Sequence, residues 1–477
     1  MTGLRTLDPA TIQRVLFLTV GGSWAPLVMS LKHHAPDYVV FVCSAADPTS
    51  GTRSSSALVV GEGHHVGESP DRANPSFPNI RIQANLEHVP FDLLELPRID
   101  DLETCHAEIL AAFQAVREAL PGVHVVADYT GGTKTMAAAL AAVAVEDGLG
   151  RIAVVTGARS NLERVADGTS TALVWHPWGM QARRRFDREV GPLMATYDYA
   201  GIRHLLNDLT RDELPDDLHA CVQLTMALCN GFEAWDRFDH LEALRILGLG
   251  HLREGLGDHV RFLEQVCHSR SAVDPEFPEM EAVRDTQASG FEIVDDLLLN
   301  AGRCATRERY DDAVGRLYRA TELFVQIHLL RTYGIRTGDL DLARLPEAAR
   351  TGWRPSPTGK FQTGLRGAYE LLRHFPDDPV GRIYTDPTTR LGERLMTAIQ
   401  IRNQSLFAHG FRPLGPADHR SVADAVASFL DAAMAALQPC RPVSRGLPFP
   451  TDLLAGFRIG QVARQRPDKN APNMIDL

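Results

Sequence analysis

At 477 residues, with 44% hydrophobic and 23% charged side chains, the chain has the size for roughly two to four folded domains and a balance that excludes a disordered polypeptide. The formal charge of −11 disfavours a protein that coats duplex DNA, because phosphate binding draws on many basic side chains, so any nucleic-acid site has to be local. Seven cysteines, at 43, 105, 221, 229, 267, 304 and 440, form no CxxC pair and argue against a disulfide framework and a thiolate zinc site, and no stretch approaches the roughly 20 apolar residues of a membrane span. Reduced thiols, a cytoplasmic location, no export and no membrane are the expectation.

The first part of the chain alternates strand-like and helix-like patterns. "RVLFLTV" (14–20) reads as a strand, followed by a helix opened by Pro26, then the strand "YVVFVC" (38–43). The stretch between Ala45 and Pro78 is rich in Gly, Ser and Pro and reads as mostly loop. A helix near 102–119, with Leu102, Ile109, Leu110, Phe113 and Val116 on one face, precedes the strand "VHVVAD" (123–128), a helix from about 133 and the strand "RIAVVT" (151–156). "ERVADGTSTALVW" (163–175) reads as a hairpin turning at Asp167-Gly168, a pair suited to positive φ. This alternation predicts an α/β fold with an open, Rossmann-like parallel sheet over residues 1–180.

Beyond about Arg183 the strand signal fades. Aromatic-led stretches at 199–206, 238–247 and 310–323 predict stacked helical hairpins, without a strict repeat. The expected all-α remainder is a helical linker domain at 181–290, a helical domain at 291–440 broken by a Pro- and Gly-containing stretch around 334–360, and an irregular tail at 441–477, packed on the surface or disordered. The carboxylates of "PDDPVGRIYTDP" (376–387) sit among prolines and read as a solvated loop. The adjacent pairs His33-His34 and His64-His65 point to different faces and make poor metal sites, and no metal is assigned.

Three strand ends are polar or glycine-rich: "TVGGSW" (19–24), "DYTGGTKT" (128–135) and "TGARS" (156–160). In an open parallel sheet ligands bind outside the carboxyl ends of the strands, so the three would face one crevice. Glycines let backbone N–H groups approach a phosphate, the following helix adds its partial positive charge, and Lys134 supplies a point charge, which together suit an anion, plausibly a nucleotide. The alternative is that the glycines only make tight βα turns. A single Thr between Gly132 and Lys134 departs from the P-loop pattern, and the GxGxxG fingerprint is absent after Val20.

"TVGGSW", the strand ending at Cys43-Ser44 and above all "DYTGGTKTM" resemble the CARF domain, the CRISPR-associated Rossmann fold of type III CRISPR accessory proteins, over roughly residues 12–180. The resemblance implies a dimer whose paired crevices bind a cyclic oligoadenylate, tetra- or hexa-adenylate. It gives the effector Gly21, Gly22, Ser23, Ser44, Thr130, Gly131, Gly132, Thr133 and Lys134, with Thr156 and Gly157 as weaker carry-overs. Trp24 is a candidate for stacking on an adenine, or a packing residue.

A second constellation lies in "AIQIRNQSLFAHGFRP" (398–413). On a continuous helix Arg402 and His409, two turns apart, project from nearly the same face, and Gly410 and Pro413 mark the helix end; alternatively Ser405 caps a new helix. A titratable histidine, a permanent cation and the Asn403 amide are the parts needed for metal-free RNA cleavage, in which the 2′-hydroxyl attacks the adjacent phosphorus. "RNQSLFAHG" resembles the R-X4-6-H motif of HEPN ribonucleases, and residues 296–323 resemble the leading helices of that domain in CARF proteins. The resemblance implies catalytic roles for Arg402, Asn403 and His409 in a composite site of a homodimer. The expected function is a cyclic oligoadenylate-activated, metal-independent endoribonuclease acting on single-stranded RNA, with no cofactor other than its activator; the rival is a ligand-sensing regulator that recruits a partner or nucleic acid without cutting it.

Overall fold

The computed structural model describes residues 4, 9–46, 53–61, 64–65, 76–148, 150–156, 159–160, 164–165, 171–210, 214–279, 289–408, 410–438, 446–454 and 457. The chain divides into two compact units, one of Met1–Phe186 with Leu209–Leu218, the other of Asp187–Asp208 with His219–Leu477.

The first unit runs β1 (Arg14–Thr19), α1 (Trp24–His34), β2 (Tyr38–Ser44), α2 (Ala57–Val60), β3 (His64–His65), β4 (Ser76–Phe77), α3 (Ile80–Ala84), β5 (Phe91–Leu96), α4 (Leu102–Ala119), β6 (His124–Asp128), α5 (Lys134–Asp147), β7 (Arg151–Thr156), β8 (Arg159–Ser160), β9 (Arg164–Val165) and β10 (Thr171–Trp175). Six strands form one sheet in the order β10-β7-β6-β1-β2-β5, parallel throughout except for antiparallel β10 at one edge. A strand buried on both faces reads as a continuous apolar run, and in β1 every residue after Arg14 is buried. Val15 and Phe17 join α4 and α5 in one core layer, while Leu16 and Leu18 join α1 and α3 in the other. Helices therefore cover both faces, as the strand–helix alternation predicts.

Strand β5 is not predicted, because "FDLLEL" carries two acids within six residues. Asp92 is nevertheless buried, and it is satisfied there by the Tyr38 hydroxyl at 2.5 Å and the Leu4 N–H at 3.1 Å. The expected hairpin over 163–175 is also corrected. Arg164–Val165 pairs with Arg159–Ser160, and β10 pairs with β7; the turn at Asp167-Gly168 lies outside the described residues.

After α6 (Trp178–Ala195) the α-helices among the described residues, most of them in the second unit, are α7 (Tyr199–Leu209), α8 (Asp216–Asp236), α9 (His240–Leu247), α10 (Gly250–Ser271), α11 (Glu292–Thr306), α12 (Tyr310–Tyr333), α13 (Leu365–Leu372), α14 (Pro379–Thr385), α15 (Leu391–Asn403) and α16 (Pro416–Leu437). A buried polar network ties α8, α9 and α11 together. Asp296 accepts from Trp235 Nε1 at 3.0 Å and faces His240 Nε2 at 3.0 Å, and Arg303 pairs with Asp236 at 2.7 Å. Charges that cannot reach water have to be paired, and Arg303 finds its counter-charge in Asp236, although its Nη1 and Nη2 are buried without a hydrogen-bond partner.

Two expectations are revised here. The acidic stretch 376–387 contains α14, with Pro379 in its first turn and the Asp378 carboxylate capping the Gly381 N–H at 2.6 Å. The described part of the tail is irregular, as expected, but it is not a surface strand of chain: Phe449 and Leu453 are 3% exposed, and Phe449 packs against Phe232 and Trp235. The six described cysteines are buried free thiols, and burial pushes those of Cys43, Cys229 and Cys267 up to about 12. Among the described residues no helix is long and apolar enough to cross a membrane.

Candidate functional site

In the first unit the sheet reverses its strand order between β1 and β6, so the helices that follow these neighbours leave in opposite directions and open a crevice at their carboxyl ends. The turn after β1 holds Gly21, Gly22 and Ser23; the turn after β6 holds Thr130 to Thr133. The two turns touch backbone to backbone. A Cβ on Gly21 would lie 2.5 Å from Gly132 N, and one on Gly131 would run into Thr19 O. Gly132 adopts φ +77°, a conformation that favours glycine. Gly22 differs, since a Cβ there would meet nothing within 4 Å. Its side faces open space.

Beneath the turns lies Asp128, fully buried at the end of β6. Its carboxylate accepts from Ser30 Oγ at 2.5 Å, from Thr130 N at 2.9 Å and from the Thr130 hydroxyl, and lies 3.4 Å from His34 Nε2. The Thr130 hydroxyl in turn accepts from Val155 N at 2.7 Å, which binds the turn to β7. Thr133 caps α5, accepting from Met136 N at 3.2 Å, and donates to Ile99 O at 3.1 Å. Ser44 ties β2 to the segment that follows it, with Ser44 N donating to Ser55 Oγ at 2.9 Å and Ser55 N to Ser44 Oγ at 3.2 Å.

The expected effector residues thus separate into two sets. Gly21, Gly131, Gly132, Thr130, Thr133 and Ser44 shape the crevice, with their polar side chains engaged by the scaffold. Gly22, Ser23 and Lys134 are turned outward: Gly22 and Ser23 are exposed, Ser23 makes no side-chain cap on α1, and Lys134 is exposed at the first position of α5. Two helix N-termini and a lysine around glycine turns form a surface that an anion would occupy favourably. Trp24 is half-buried and packs against the apolar layer under α1. Thr156 ends β7, paired with Thr171 of β10, and Gly157 lies outside the described residues.

In the second unit α15 ends at Asn403, with Gln404 as its C-cap, so the continuous helix through 402–409 does not form. The chain doubles back instead. Arg412 N donates to Gln404 O at 3.2 Å, Gly410 N donates to Ser405 O at 3.2 Å, and a Cβ on Gly410 would collide with the Gln404 carbonyl. Gly410 therefore serves this close return of the backbone rather than a helix end, and Ser405 starts no helix. His409 lies outside the described residues.

Arg402, in the last turn of α15, is half-buried, and Asn403 beside it is exposed. The Arg402 guanidinium lies over the Tyr318 ring, its Cζ 4.6 Å from the centroid, and its Nε is buried with no hydrogen-bond partner. Ser405 Oγ is likewise buried and unpartnered. Among the described residues no carboxylate pairs with Arg402, which leaves its charge available to an anionic ligand. Sequence reasoning missed Tyr318, an unmarked position within "GRLYRA", and treated Asp128 only as a strand end; Tyr318 meets Arg402 from 84 positions away, and Asp128 meets Ser30 from 98, separations that leave no local signal. Among the described residues no group of three or more His, Cys, Asp and Glu is placed to hold a metal ion.

Residues 282–433 match the protein-family model described as the Csm6 HEPN domain. The search of curated proteins found no match. Among solved structures the chain is similar to Enterococcus italicus Csm6 bound to cyclic hexa-2′-fluoro-hexa-dAMP, with 10% sequence identity and a TM-score of 0.55, over 90% of this chain and 95% of that one. The family match places a HEPN domain in the helical second unit, and the likeness to the Enterococcus structure shows a shared fold, an N-terminal α/β sheet followed by helices.

Proposed function

We propose that this chain is a CARF-HEPN protein of type III CRISPR systems, a cyclic oligoadenylate-activated endoribonuclease that cuts single-stranded RNA without a metal ion, as part of antiviral defence in the cytoplasm. The observation that carries the reading is Arg402, an arginine in the HEPN domain fixed against an aromatic ring with no carboxylate to neutralise it among the described residues.

In this reading the RNA 2′-hydroxyl attacks the adjacent phosphorus, the new O2′–P bond forms and the P–O5′ bond breaks. His409 transfers a proton, and Arg402 with Asn403 steadies the charge on the pentacoordinate phosphorus. Products carry a 2′,3′-cyclic phosphate, or a 3′-phosphate after its opening, and a 5′-hydroxyl. Two subunits contribute an Arg and a His each, so the active form is a homodimer. In-line attack needs a backbone free to leave A-form geometry, which sets the single-strand preference.

The crevice of residues 1–180 takes the activator, with Gly22, Ser23 and Lys134 nearest to it, and the helices of 181–290 pass its effect to the HEPN domain as a population shift between two arrangements of the dimer. The similar Enterococcus italicus protein binds a cyclic hexanucleotide analogue, which makes cyclic hexa-adenylate the first ring to try and the tetra-adenylate the second. The test is cleavage of a fluorescent single-stranded RNA in EDTA, with and without each ring, by wild type and by the Arg402→Ala, His409→Ala double variant. Cleavage that requires a ring and vanishes in the variant supports the proposal. Ring binding without any cleavage would replace it with a ligand-sensing regulator, and loss of cleavage on chelation would point to a metal-dependent nuclease.

A further inference from the structure

We infer that Tyr318 is a positioning residue for Arg402, its ring holding the guanidinium in the orientation that the reacting phosphate requires. The inference rests on the ribonuclease reading above and adds to it a residue outside the motif.

Arginine side chains are usually fixed by carboxylates, and the neighbour of Tyr318 on α12 does this: Arg319 pairs with Glu322 at 2.6 Å and Gln326 at 3.0 Å. A carboxylate on Arg402 would fix it equally well but would also cancel the charge that a phosphorane needs. An aromatic face fixes the plane of the guanidinium through its quadrupole and leaves the N–H fork and the full charge available. The Arg402 Cζ is 4.6 Å from the Tyr318 centroid, within the range of that attraction.

The buried Nε of Arg402 has no acceptor, so hydrogen bonding to its inner edge does not fix it. Ser405, one turn further on and 1% exposed, also leaves its hydroxyl unpartnered. Folded chains rarely leave two buried polar atoms without partners within four residues, since each forfeits the hydrogen bonds it had in water. Burial and Glu322 push the Tyr318 phenol up, against the opposing effect of Arg402, so the ring stays neutral at working pH.

The experiment is steady-state cleavage of single-stranded RNA by the full-length chain at saturating cyclic hexa-adenylate, with melting temperatures measured in parallel. Tyr318→Phe keeps the ring and is expected to hold kcat within about two-fold, whereas Tyr318→Leu removes the π face and is expected to lower kcat about ten-fold with KM and melting temperature unchanged. In an Arg402→Lys background the ammonium is still drawn to the ring but has no plane to orient, so Tyr318→Leu should cost clearly less than in wild type, under about three-fold. Wild-type kcat in Tyr318→Leu, equal damage in Tyr318→Phe, or the same loss from Tyr318→Leu in both backgrounds would overturn the role. Should Tyr318→Leu melt early, Tyr318→Trp decides: kcat retained on the larger face supports the inference, and a loss above about ten-fold overturns it. Full cleavage by Arg402→Ala would sink the ribonuclease reading itself; an inactive Arg402→Ala beside an unaffected Tyr318→Leu would sink only the positioning role.

Discussion

Ser30 Oγ donates a 2.5 Å hydrogen bond to the carboxylate of Asp128, joining the helix after the first strand to the turn after the sixth, 98 residues away in the chain. Asp128 also receives the Thr130 N–H, so one buried acid fixes both walls of the crevice. Asp128→Ala leaves these donors without an acceptor and should destabilise the first unit by about 2–4 kcal/mol. Thermal unfolding measures that loss. Ser30→Ala removes one donor only, so its expected cost is smaller, about 1 kcal/mol. Equal stability of wild type and Asp128→Ala would mean that the carboxylate does not organise the crevice.

The glycines separate structural from ligand-facing roles. Gly21→Ala places a Cβ against Gly132 N, and Gly131→Ala places one against Thr19 O, so both should lower the melting temperature by several degrees. Gly22→Ala meets nothing and should melt like wild type. If Gly22 faces the effector, Gly22→Leu should weaken activation without altering stability; normal activation by that variant would remove Gly22 from the pocket.

Lys134 is exposed at the start of α5, so its removal takes away a charge without disturbing packing. Lys134→Ala should leave the melting temperature unchanged and raise the ring concentration for half-maximal activation about five- to thirty-fold, as expected for a charge-assisted contact worth about 1–2 kcal/mol. A titration with unchanged midpoint would exclude the lysine from effector binding.

Much of this arrangement is legible in the sequence, and the failures share one cause. The doubly covered strands announce themselves because burial on both faces demands an unbroken apolar run, as in Val15 to Leu18. The glycine turns stand out because close backbone approach admits few other residues. Strand β5 escapes notice because the partner that makes its buried Asp92 tolerable, Tyr38, is 54 residues distant. The spacing of Arg402 and His409 misleads for a similar reason: it suggests helix, while the return of the chain is set by contacts of Gln404 with Gly410 and Arg412. Local periodicity records the burial of faces. It carries no record of which polar groups meet across the fold.

Acid should weaken the second unit through Asp378. Burial alone would raise the carboxyl's pKa, but hydrogen bonds from His328 at 2.6 Å, from Gly381 N at 2.6 Å and from Tyr333 at 2.9 Å together hold it below the usual carboxylate range. A carboxyl depressed in the folded state contributes stability that is fully present above its unfolded pKa, near 4, and is lost as pH falls through the lower folded value. Asp378→Asn should therefore unfold more easily than wild type at pH 7 and show a flatter decline of melting temperature between about pH 4 and pH 2. Parallel declines for the two proteins would show that Asp378 contributes nothing to acid sensitivity.

Phe449 tests whether the segment after the last helix belongs to the fold. Its ring is 3% exposed, centred 4.8 Å from that of Phe232 and 4.9 Å from that of Trp235, and the Arg303 guanidinium lies 3.7 Å from its centroid. The same segment receives a second fixed contact, between His259 Nε2 and Pro448 O at 3.0 Å. Removing a buried phenyl ring from such surroundings costs about 3–5 kcal/mol. Phe449→Ala should accordingly lower the unfolding midpoint of the helical unit and leave the first unit's transition in place. Phe449→Leu, which refills most of the volume but cannot face Arg303 with a π surface, should recover part of the loss. An unchanged denaturation profile for Phe449→Ala would mean that the segment rests on the helices without stabilising them.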